Sequence, residues 1–564
     1  MHEHVLTLAK VCETAGIKHA VICPGSRSAP LVYAFTQYTN IRCHSVVDER
    51  SAGFVALGLA QQSNVPVILI ATSGSACLNF FPAVAEAFYQ KIPLLILTAD
   101  RPPELLNQQD GQMIMQKEVY GKHVIASHEL LCYDENITYD ELTERIVKSA
   151  LLECIGSEKF GPVHINVPLR EPLYDLPKMV DFSPIKPISL EAKNRIKKMP
   201  LLAELSEAWA HSKKRLIIIG QMPPNRQMSA HLQKLTDQDD VVVLGDIVSN
   251  QLSVCSVPHF DAILQFGNKS ILTELEPDFV LSIGGSLVSK ALKNWLKKQQ
   301  PRYHFRLQSE TDIVVNTYQN LTHEIITDVE PYLHTFQSLR IFKNKEHKPY
   351  TALWITQEDQ LLTALHTHIQ HTNWSEPKAM KMVLSQLPAN AQVQLGNSSS
   401  VRWASWLSIP HPTQTFFSNR GTSGIDGSLS TAIGAAMAKS SELVTLIIGD
   451  LSIFYDQNGF WQQMLPANLK IIVLNNQGGN IFNWIEGPKK FPNELRYFTT
   501  PHQLSISKMC SQYGIKHQLC TDEHQLLSQL HELYAPSNQP VLLELAFQEQ
   551  DNLLAIDAFK KLRF

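Results

Sequence analysis

Between Leu443 and Phe482 the chain places two hard-oxygen donors at the ends of two apolar runs. The run Leu443–Ile448 ends in Gly449-Asp450-Leu451-Ser452, and the run Lys470–Leu474 ends in Asn475-Asn476-Gln477-Gly478-Gly479. Two buried strands of this kind would bring Asp450 and Asn476 to one sheet edge. Gly478 can add a backbone carbonyl because glycine lets the chain turn sharply. A carboxylate, an amide oxygen and a carbonyl leave three positions of an octahedron for two diphosphate oxygens and a water, the coordination Mg²⁺ favours. Taken one at a time, the same residues could simply cap the helices that follow. The pair, with twenty-three residues between Leu451 and Asn475, favours the metal–diphosphate site.

Two further constellations lie near the N-terminus. Cys23-Pro24-Gly25-Ser26-Arg27-Ser28-Ala29-Pro30-Leu31 gathers hydroxyls, backbone N–H groups and a guanidinium after an apolar run. Such a loop suits a carboxylate or phosphate, and equally suits a Pro-Gly turn opening a helix. Val46-Val47-Asp48-Glu49-Arg50 carries a carboxylate at the end of a strand-like segment, ahead of a helix rich in small residues. A lone Glu in that place is more often a surface or capping group. It gains chemical meaning only beside the Asp450–Asn476 pair.

The elements that must position these residues read as α/β throughout. Ala20–Cys23, Ser45–Val47, Val67–Ala71, Leu94–Thr98 and Val163–Val167 are expected strands, with helices over Ala52–Gln62 and Leu78–Phe88. Apolar strands separated by helices imply parallel sheets covered on both faces, with ligands at the carboxyl ends of the strands. The pattern breaks at Asp181–Pro200, which reads as a linker. It resumes with Leu216–Gly220, Val241–Gly245 and Phe279–Gly284, and breaks again at Lys343–Tyr350. A third block holds Gln392–Leu395, Leu443–Ile448, Lys470–Leu474 and Val541–Leu545, with a helix-like stretch running to Met464. The expectation is three α/β domains with mostly parallel sheets, at 1–182, 200–342 and 351–564. Gly284-Gly285-Ser286 in the middle block lacks the full GxGxxG of a dinucleotide site and reads as a tight turn.

Composition narrows the class. The 564 residues are 44% hydrophobic and 18% charged, which fits folded domains and excludes a disordered chain. A formal charge of −4 disfavours a general nucleic-acid binder. Apolar runs are strand-length, so no membrane span is expected. Met1-His2-Glu3-His4 lacks the basic and apolar regions of a signal peptide, and nine scattered cysteines without CxxC spacing read as thiols in a reducing compartment. A cytoplasmic enzyme is the expectation.

The Asp450–Asn476 spacing resembles the thiamine diphosphate signature, GDG followed some two dozen residues later by NN, with Leu451 in place of the last glycine. Together with CPGSRSAPL (23–31), DERSAGFVALGLA (48–60), TSGSA (72–76), LTADRPPEL (97–105), SNRGTSGIDG (418–427), GDLS and YDQNG (449–459) and NNQGGNIF (475–482), it is similar to one family. That family is the 2-succinyl-5-enolpyruvyl-6-hydroxy-3-cyclohexene-1-carboxylate (SEPHCHC) synthases of menaquinone biosynthesis.

The resemblance implies a thiamine diphosphate-binding fold of pyrimidine-binding, middle and diphosphate-binding domains. It implies thiamine diphosphate with Mg²⁺ or Mn²⁺ as cofactors, and 2-oxoglutarate and isochorismate as substrates. The keto acid would lose carbon dioxide and the succinyl carbanion would add to the isochorismate ring. Glu49 would contact N1′ of the aminopyrimidine, favouring the imino tautomer that deprotonates C2. Asp450, Asn476 and the Gly478 carbonyl would hold the metal. Thr72, Gly449, Leu451, Ser452, Ile481 and Phe482 would line the cofactor. Ser26, Arg27, Arg101, Gln112, Lys290, Ser398, Arg402 and Arg420 would meet the substrates. Two positions depart from the family pattern: Gly111 where Asn is frequent, and Ala291 where some members carry a second basic residue. A homodimer or a dimer of dimers is implied, because the family's cofactor bridges two chains. Competing readings are another thiamine-dependent decarboxylase or carboligase of the acetolactate synthase type, and an inert binding protein on the same fold. Leu451 and PGSRS argue against the first. Retention of Glu49, Asp450 and Asn476 argues against the second.

Overall fold

Short apolar runs extend into strands because Val, Ile and Leu pack well on a pleated surface buried on both faces. The computed structural model describes residues 2–63, 65–109, 111–132, 140–156, 160–175, 199–309, 313–338, 348–484 and 486–564. It divides into two compact units. The first comprises Met1–Asn194, Gly421–Val444 and Ser452–Leu469, and the second comprises Arg195–Arg420, Thr445–Leu451 and Lys470–Phe564.

The first unit is built on a parallel sheet of β1 (His19–Ile22), β2 (Arg42–Ser45), β3 (Val67–Ala71), β4 (Leu94–Asp100), β5 (Ala126–Glu129) and β6 (Val163–Pro168). Their order is β2-β1-β3-β4-β6-β5, so the chain reverses direction across the sheet between β1 and β3. That switch point is where open α/β sheets leave a crevice at the carboxyl ends of the strands. Within the same unit the helix Glu49–Ser63 crosses the helix Ser428–Ala438 at very short range. A Cβ on Gly58 would lie 2.0 Å from the Thr431 carbonyl oxygen, and one on Gly434 would lie 2.0 Å from the Val55 carbonyl oxygen.

The second unit holds two sheets. β7 (Arg215–Ile219), β8 (Val241–Gly245), β9 (Phe279–Ile283), β10 (Tyr303–Gln308) and β11 (His323–Ile326) run in the order β11-β10-β9-β7-β8. β12 (Gln392–Leu395), β13 (Thr415–Phe417), β14 (Val444–Gly449), β15 (Leu469–Asn475), β16 (Lys516–Cys520) and β17 (Val541–Ala546) run in the order β13-β12-β14-β15-β17-β16. The switch points fall between β7 and β9 and between β12 and β14. In the five-stranded sheet the crevice is closed by its own backbone. A Cβ on Gly220 would meet the Gly285 carbonyl oxygen at 2.2 Å, and Gln221 and Ser286 donate to the carbonyls of Ser418 and Arg420. The Gly284-Gly285 turn is therefore a packing turn, as its incomplete motif implied.

Several sequence expectations shift. The strand expected at Ser45–Val47 lies at Arg42–Ser45, and the helix expected from Ala52 begins at Glu49. Asp48 caps it, accepting from the Ser51 N–H at 3.0 Å, so Glu49 belongs to the first helical turn rather than to a strand end. The helix expected over Leu78–Phe88 is two, Ser75–Asn79 and Phe81–Gln90, because Pro82 can enter only a first turn. The helix expected to reach Met464 stops at Tyr455, and a 3-10 turn covers Gln457–Phe460. The expected linker at Asp181–Pro200 lies almost entirely outside the described residues, as do 343–347 of the second. Pro349 and Tyr350 instead start the helix Pro349–His371.

Candidate active site

In the six-stranded sheet of the second unit, β14 and β15 are neighbours, and their carboxyl ends bring Asp450 and Gly478 into contact. Asp450 is 2% exposed. Its Oδ1 accepts from the Leu451 N–H at 2.8 Å and its Oδ2 from the Gly478 N–H at 2.9 Å. His502 Nε2 lies 3.3 Å from the same Oδ2, while its Nδ1 accepts from the Leu504 N–H. The loop needs glycine at 478: φ is +157° and a Cβ would lie 2.7 Å from the Thr499 carbonyl oxygen.

Asn476, also buried, donates its Nδ2 to Glu376 Oε1 and leaves Oδ1 without a hydrogen-bond partner. A buried carboxylate, an orphaned amide oxygen and the Gly478 carbonyl, which also accepts from the Asn480 N–H at 3.0 Å, form a donor set of all-oxygen character, which fits a small divalent cation. Around it, Leu451 and Phe482 flank Gly479, Ile481 is buried, and Gly449 is half-buried.

The crevice between β12 and β14 carries the cations. Ser398, which caps the helix Ser399–Leu407, has φ +75°, a conformation that side chains other than glycine's adopt at a cost. This turn lets its carbonyl accept from Arg402 Nη1 at 2.6 Å. Arg420 Nη1 donates to Asn397 Oδ1 at 2.9 Å, and Asn397 Nδ2 donates to the Asn419 carbonyl at 2.7 Å. Burial pulls the Arg402 guanidinium below the ordinary arginine range, and the positive charge of Arg420 adds to the effect. Lys293 is likewise lowered, by burial and then by Arg420, with Arg402 adding to it.

These three cations repel one another, and the carboxylates of Asp246 and Asp261 offset part of that repulsion while also serving the local fold. Asp246 takes N–H bonds from Val248 and Val288 and is pushed up to about 6 by burial. Asp261 takes the Ser289 hydroxyl and Trp406 Nε1. Lys290 opens the helix Lys290–Lys298 and is exposed, so Lys293, one turn further on, is the lysine that shares the field of both arginines. Sequence reasoning missed it because only the adjacent position, Ala291, was compared with the family pattern.

The first unit holds the other candidates, and its switch point brings only some of them together. The turn after β1 meets the end of β3 closely: a Cβ on Gly25 would lie 2.3 Å from Thr72 Cβ. Thr72 is buried with its hydroxyl unpartnered. Ser26 is exposed, whereas Arg27 is tied to the Leu169 carbonyl and to Glu171, each at 3.1 Å. Arg101 is 9% exposed and donates to Ser73 Oγ at 3.0 Å and to the Gln112 carbonyl at 3.2 Å, holding Gln112 at φ +57° with an exposed side chain. Gly111 is exposed, with open space around it. Glu49 is half-buried, and its Oε2 accepts from Asn79 Nδ2 at 3.3 Å. Ser452 donates to the Ile425 carbonyl at 2.7 Å.

Buried Glu86 was not singled out in the sequence. It accepts the N–H groups of Gly421 and Thr422 at 2.7 and 2.6 Å and so fixes the loop that follows Arg420. An inward Glu on an otherwise apolar helix face was its only signal.

Comparison with known proteins gives this site its class. Residues 5–119 match the thiamine pyrophosphate enzyme N-terminal TPP binding domain, 190–395 the middle domain of thiamine pyrophosphate enzymes, and 396–545 the C-terminal TPP binding domain. The fold and the chain are those of a thiamine pyrophosphate enzyme. The chain is also 38% identical to the 2-succinyl-5-enolpyruvyl-6-hydroxy-3-cyclohexene-1-carboxylate synthase of Desulfotalea psychrophila, over 92% of its own length and 93% of the relative's. It is 36% identical to the synthase of that name from Flavobacterium psychrophilum (99% and 98%), and 33% identical to that from Phocaeicola vulgatus (100% and 98%). The chain belongs to the SEPHCHC synthase family.

Proposed function

We propose that this chain joins 2-oxoglutarate to isochorismate with loss of carbon dioxide, giving SEPHCHC for menaquinone biosynthesis. The observation that carries the choice of substrate is the placement of Arg402 and Arg420 just beyond the carboxyl end of β12, where they donate to the Ser398 carbonyl and Asn397 Oδ1, with Lys293 in their electrostatic field. Both proposed substrates are dicarboxylates, and guanidinium forks bind carboxylates in paired hydrogen bonds. Thiamine diphosphate, when bound, supplies the carbon nucleophile for the keto group and the electron sink for decarboxylation.

Asp450, Asn476 and the Gly478 carbonyl would hold Mg²⁺ or Mn²⁺ against the diphosphate, with Gly449, Leu451, Ser452, Thr72, Ile481 and Phe482 lining the cofactor. The unpartnered Asn476 Oδ1 supports the metal. Glu49 would hold a proton at the aminopyrimidine N1′. Ser26, Arg27, Arg101, Gln112, Lys290 and Ser398 would complete the substrate contacts.

We further propose domains at 1–182, 200–342 and 351–564, a homodimer or dimer of dimers, and a cytoplasmic location. The nine cysteines, all free thiols, support a reducing compartment. No described helix is long and apolar enough to cross a membrane. Purified protein with thiamine diphosphate, Mg²⁺, 2-oxoglutarate and isochorismate should release carbon dioxide and form a product of SEPHCHC mass. Carbon dioxide release with pyruvate in place of 2-oxoglutarate, and no such product, would refute the reading.

A further inference from the structure

Asn476 can serve a cation only through its oxygen, yet the two ends of a carboxamide are nearly the same size and shape. Something must hold the amide the right way round. Glu376, at the start of the helix Glu376–Ser385, is completely buried and faces Asn476 Nδ2 through Oε1. The same Oε1 accepts from Asn552 Nδ2 at 2.9 Å, and Oε2 accepts from Trp403 Nε1 at 2.9 Å. The Glu376 N–H in turn donates to Asn552 Oδ1 at 2.8 Å. Among the described residues the carboxylate's hydrogen-bond partners are all N–H donors, so the group acts as an acceptor and is anchored from three sides.

A reversed Asn476 amide would set its oxygen against Glu376 Oε1, acceptor against acceptor, and turn its N–H₂ toward the metal side. In the observed orientation Oδ1 is the atom left without a partner.

We propose that Glu376 is a positioning residue that locks the Asn476 amide with its oxygen presented to the divalent cation. Its role parallels that of the carboxylates that orient metal-binding histidines: it touches neither metal nor substrate and acts through the ligand. The inference rests on reading Asp450, Asn476 and Gly478 as the metal set.

The test is Mn²⁺ binding, read by the electron paramagnetic resonance of free Mn²⁺ in the presence of thiamine diphosphate, on full-length wild type and four variants. Asp450→Ala tests the metal set itself. Glu376→Gln places an N–H₂ among the three donors, so one donor must lose its acceptor or the Asn476 amide must turn. Its Mn²⁺ affinity should fall about 10- to 100-fold, the usual cost of losing an outer-sphere partner. Glu376→Asp, which keeps the charge but shortens the reach, should fall less. Trp403→Phe removes a donor from the other carboxylate oxygen and leaves the Asn476 bond in place. It should lower the melting temperature while holding Mn²⁺ affinity within about twofold.

Loss of affinity in Asp450→Ala with unchanged affinity in both Glu376→Gln and Glu376→Asp overturns the proposal and leaves the metal set standing. Unchanged affinity in Asp450→Ala overturns both. Equal losses in Trp403→Phe and Glu376→Gln would mean a general loosening of the core, and would also overturn it. If Glu376→Gln does not fold, Glu376→Asp is read in its place, and wild-type affinity there is decisive against the proposal.

Discussion

Glu49 and Lys293 show how much a single position depends on its local frame. Capped by Asp48, Glu49 emerges from the first turn of its helix, half-buried, with one weak donor in Asn79. A carboxyl so placed can exchange a proton with a cofactor ring. Glu49→Gln keeps the size and one hydrogen-bonding mode but has no proton to share. Bound thiamine diphosphate should then retain near-normal affinity while its C2 proton exchange slows by about 10²–10⁴-fold, the usual span of general acid–base catalysis. Unchanged exchange by NMR would remove Glu49 from this role. Lys293 and the two arginines make a different kind of prediction. A charge-assisted hydrogen bond contributes about 1.5–3 kcal/mol, so Arg402→Ala or Arg420→Ala should lower kcat/KM for one of the dicarboxylates by about 10- to 100-fold. Lysine at either position should restore only part, because the paired fork is lost. Lys293→Ala should move the same constant in the same direction, whereas Lys290→Ala, at an exposed position, should move it less. Steady-state kinetics with each substrate varied in turn, beside cofactor affinity that stays level, separates these outcomes from a folding defect.

At the scale of elements, the three sheets were legible because their central strands are continuous apolar runs, and the elements that were missed share a physical reason. β5 (Ala-Ser-His-Glu), β11 and β16 are edge strands, half open to polar surroundings, so their sequences carry little of the buried pattern, whereas the edge strand β13 is buried but only three residues long, too short to show one. β10 is internal but carries polar residues: buried His304 is bonded to Ser282 and Asn320, and half-buried Arg306 to the Gly284 carbonyl. Its burial is sustained by partners that lie far away in sequence. The candidate metal pair could be read from local spacing, since strand, turn and glycine are contiguous. Glu376 could not, being 100 residues from Asn476 and silent until the fold joins them. The helix crossing at Gly58 and Gly434 belongs to this same class of distant fits. Each glycine faces the other helix's backbone, which cannot turn aside as a side chain could. Gly434→Ala should therefore force the helices Glu49–Ser63 and Ser428–Ala438 apart, at about 1–3 kcal/mol for one added methyl group. Because Glu49 opens the first of these helices, thermal denaturation of the variant should show a lowered midpoint together with weaker thiamine diphosphate binding. An unshifted midpoint would mean that the crossing is looser than drawn.

For the molecule as a whole, stability and assembly follow from where charge is buried and how the site is divided. Asp456 is fully buried, bonded to the Ser430 N–H and hydroxyl, and pushed up to about 7 by desolvation. Unfolded, it would titrate near the usual value of about 3.9. Between those values the folded chain holds the proton and the unfolded chain does not, so this stabilisation is full at low pH and is lost as pH rises through about 7. Asp456→Asn should flatten the fall in melting temperature between about pH 4 and pH 7, and an identical pH profile would refute the assignment. Assembly is the larger question. Glu49 belongs to the first compact unit, and Asp450 and Asn476 belong to the second. If the cofactor bridges two chains, as the family resemblance implies, a chain with Glu49→Gln and a chain with Asp450→Ala are each inactive alone but complementary together. In a mixed dimer one site carries both lesions and the other carries neither. Random pairing puts one intact site in half of the dimers, so co-expression should restore roughly one quarter of the wild-type activity per site. Were both halves of each site drawn from a single chain, every site in every mixture would carry a lesion and no activity would return. Native mass spectrometry of the co-expressed sample, which separates dimers by the mass difference of the two variant chains, fixes the fraction of mixed dimers and so the activity to be expected. Zero activity at a measured half-fraction of mixed dimers would place Glu49 and the metal set on the same chain.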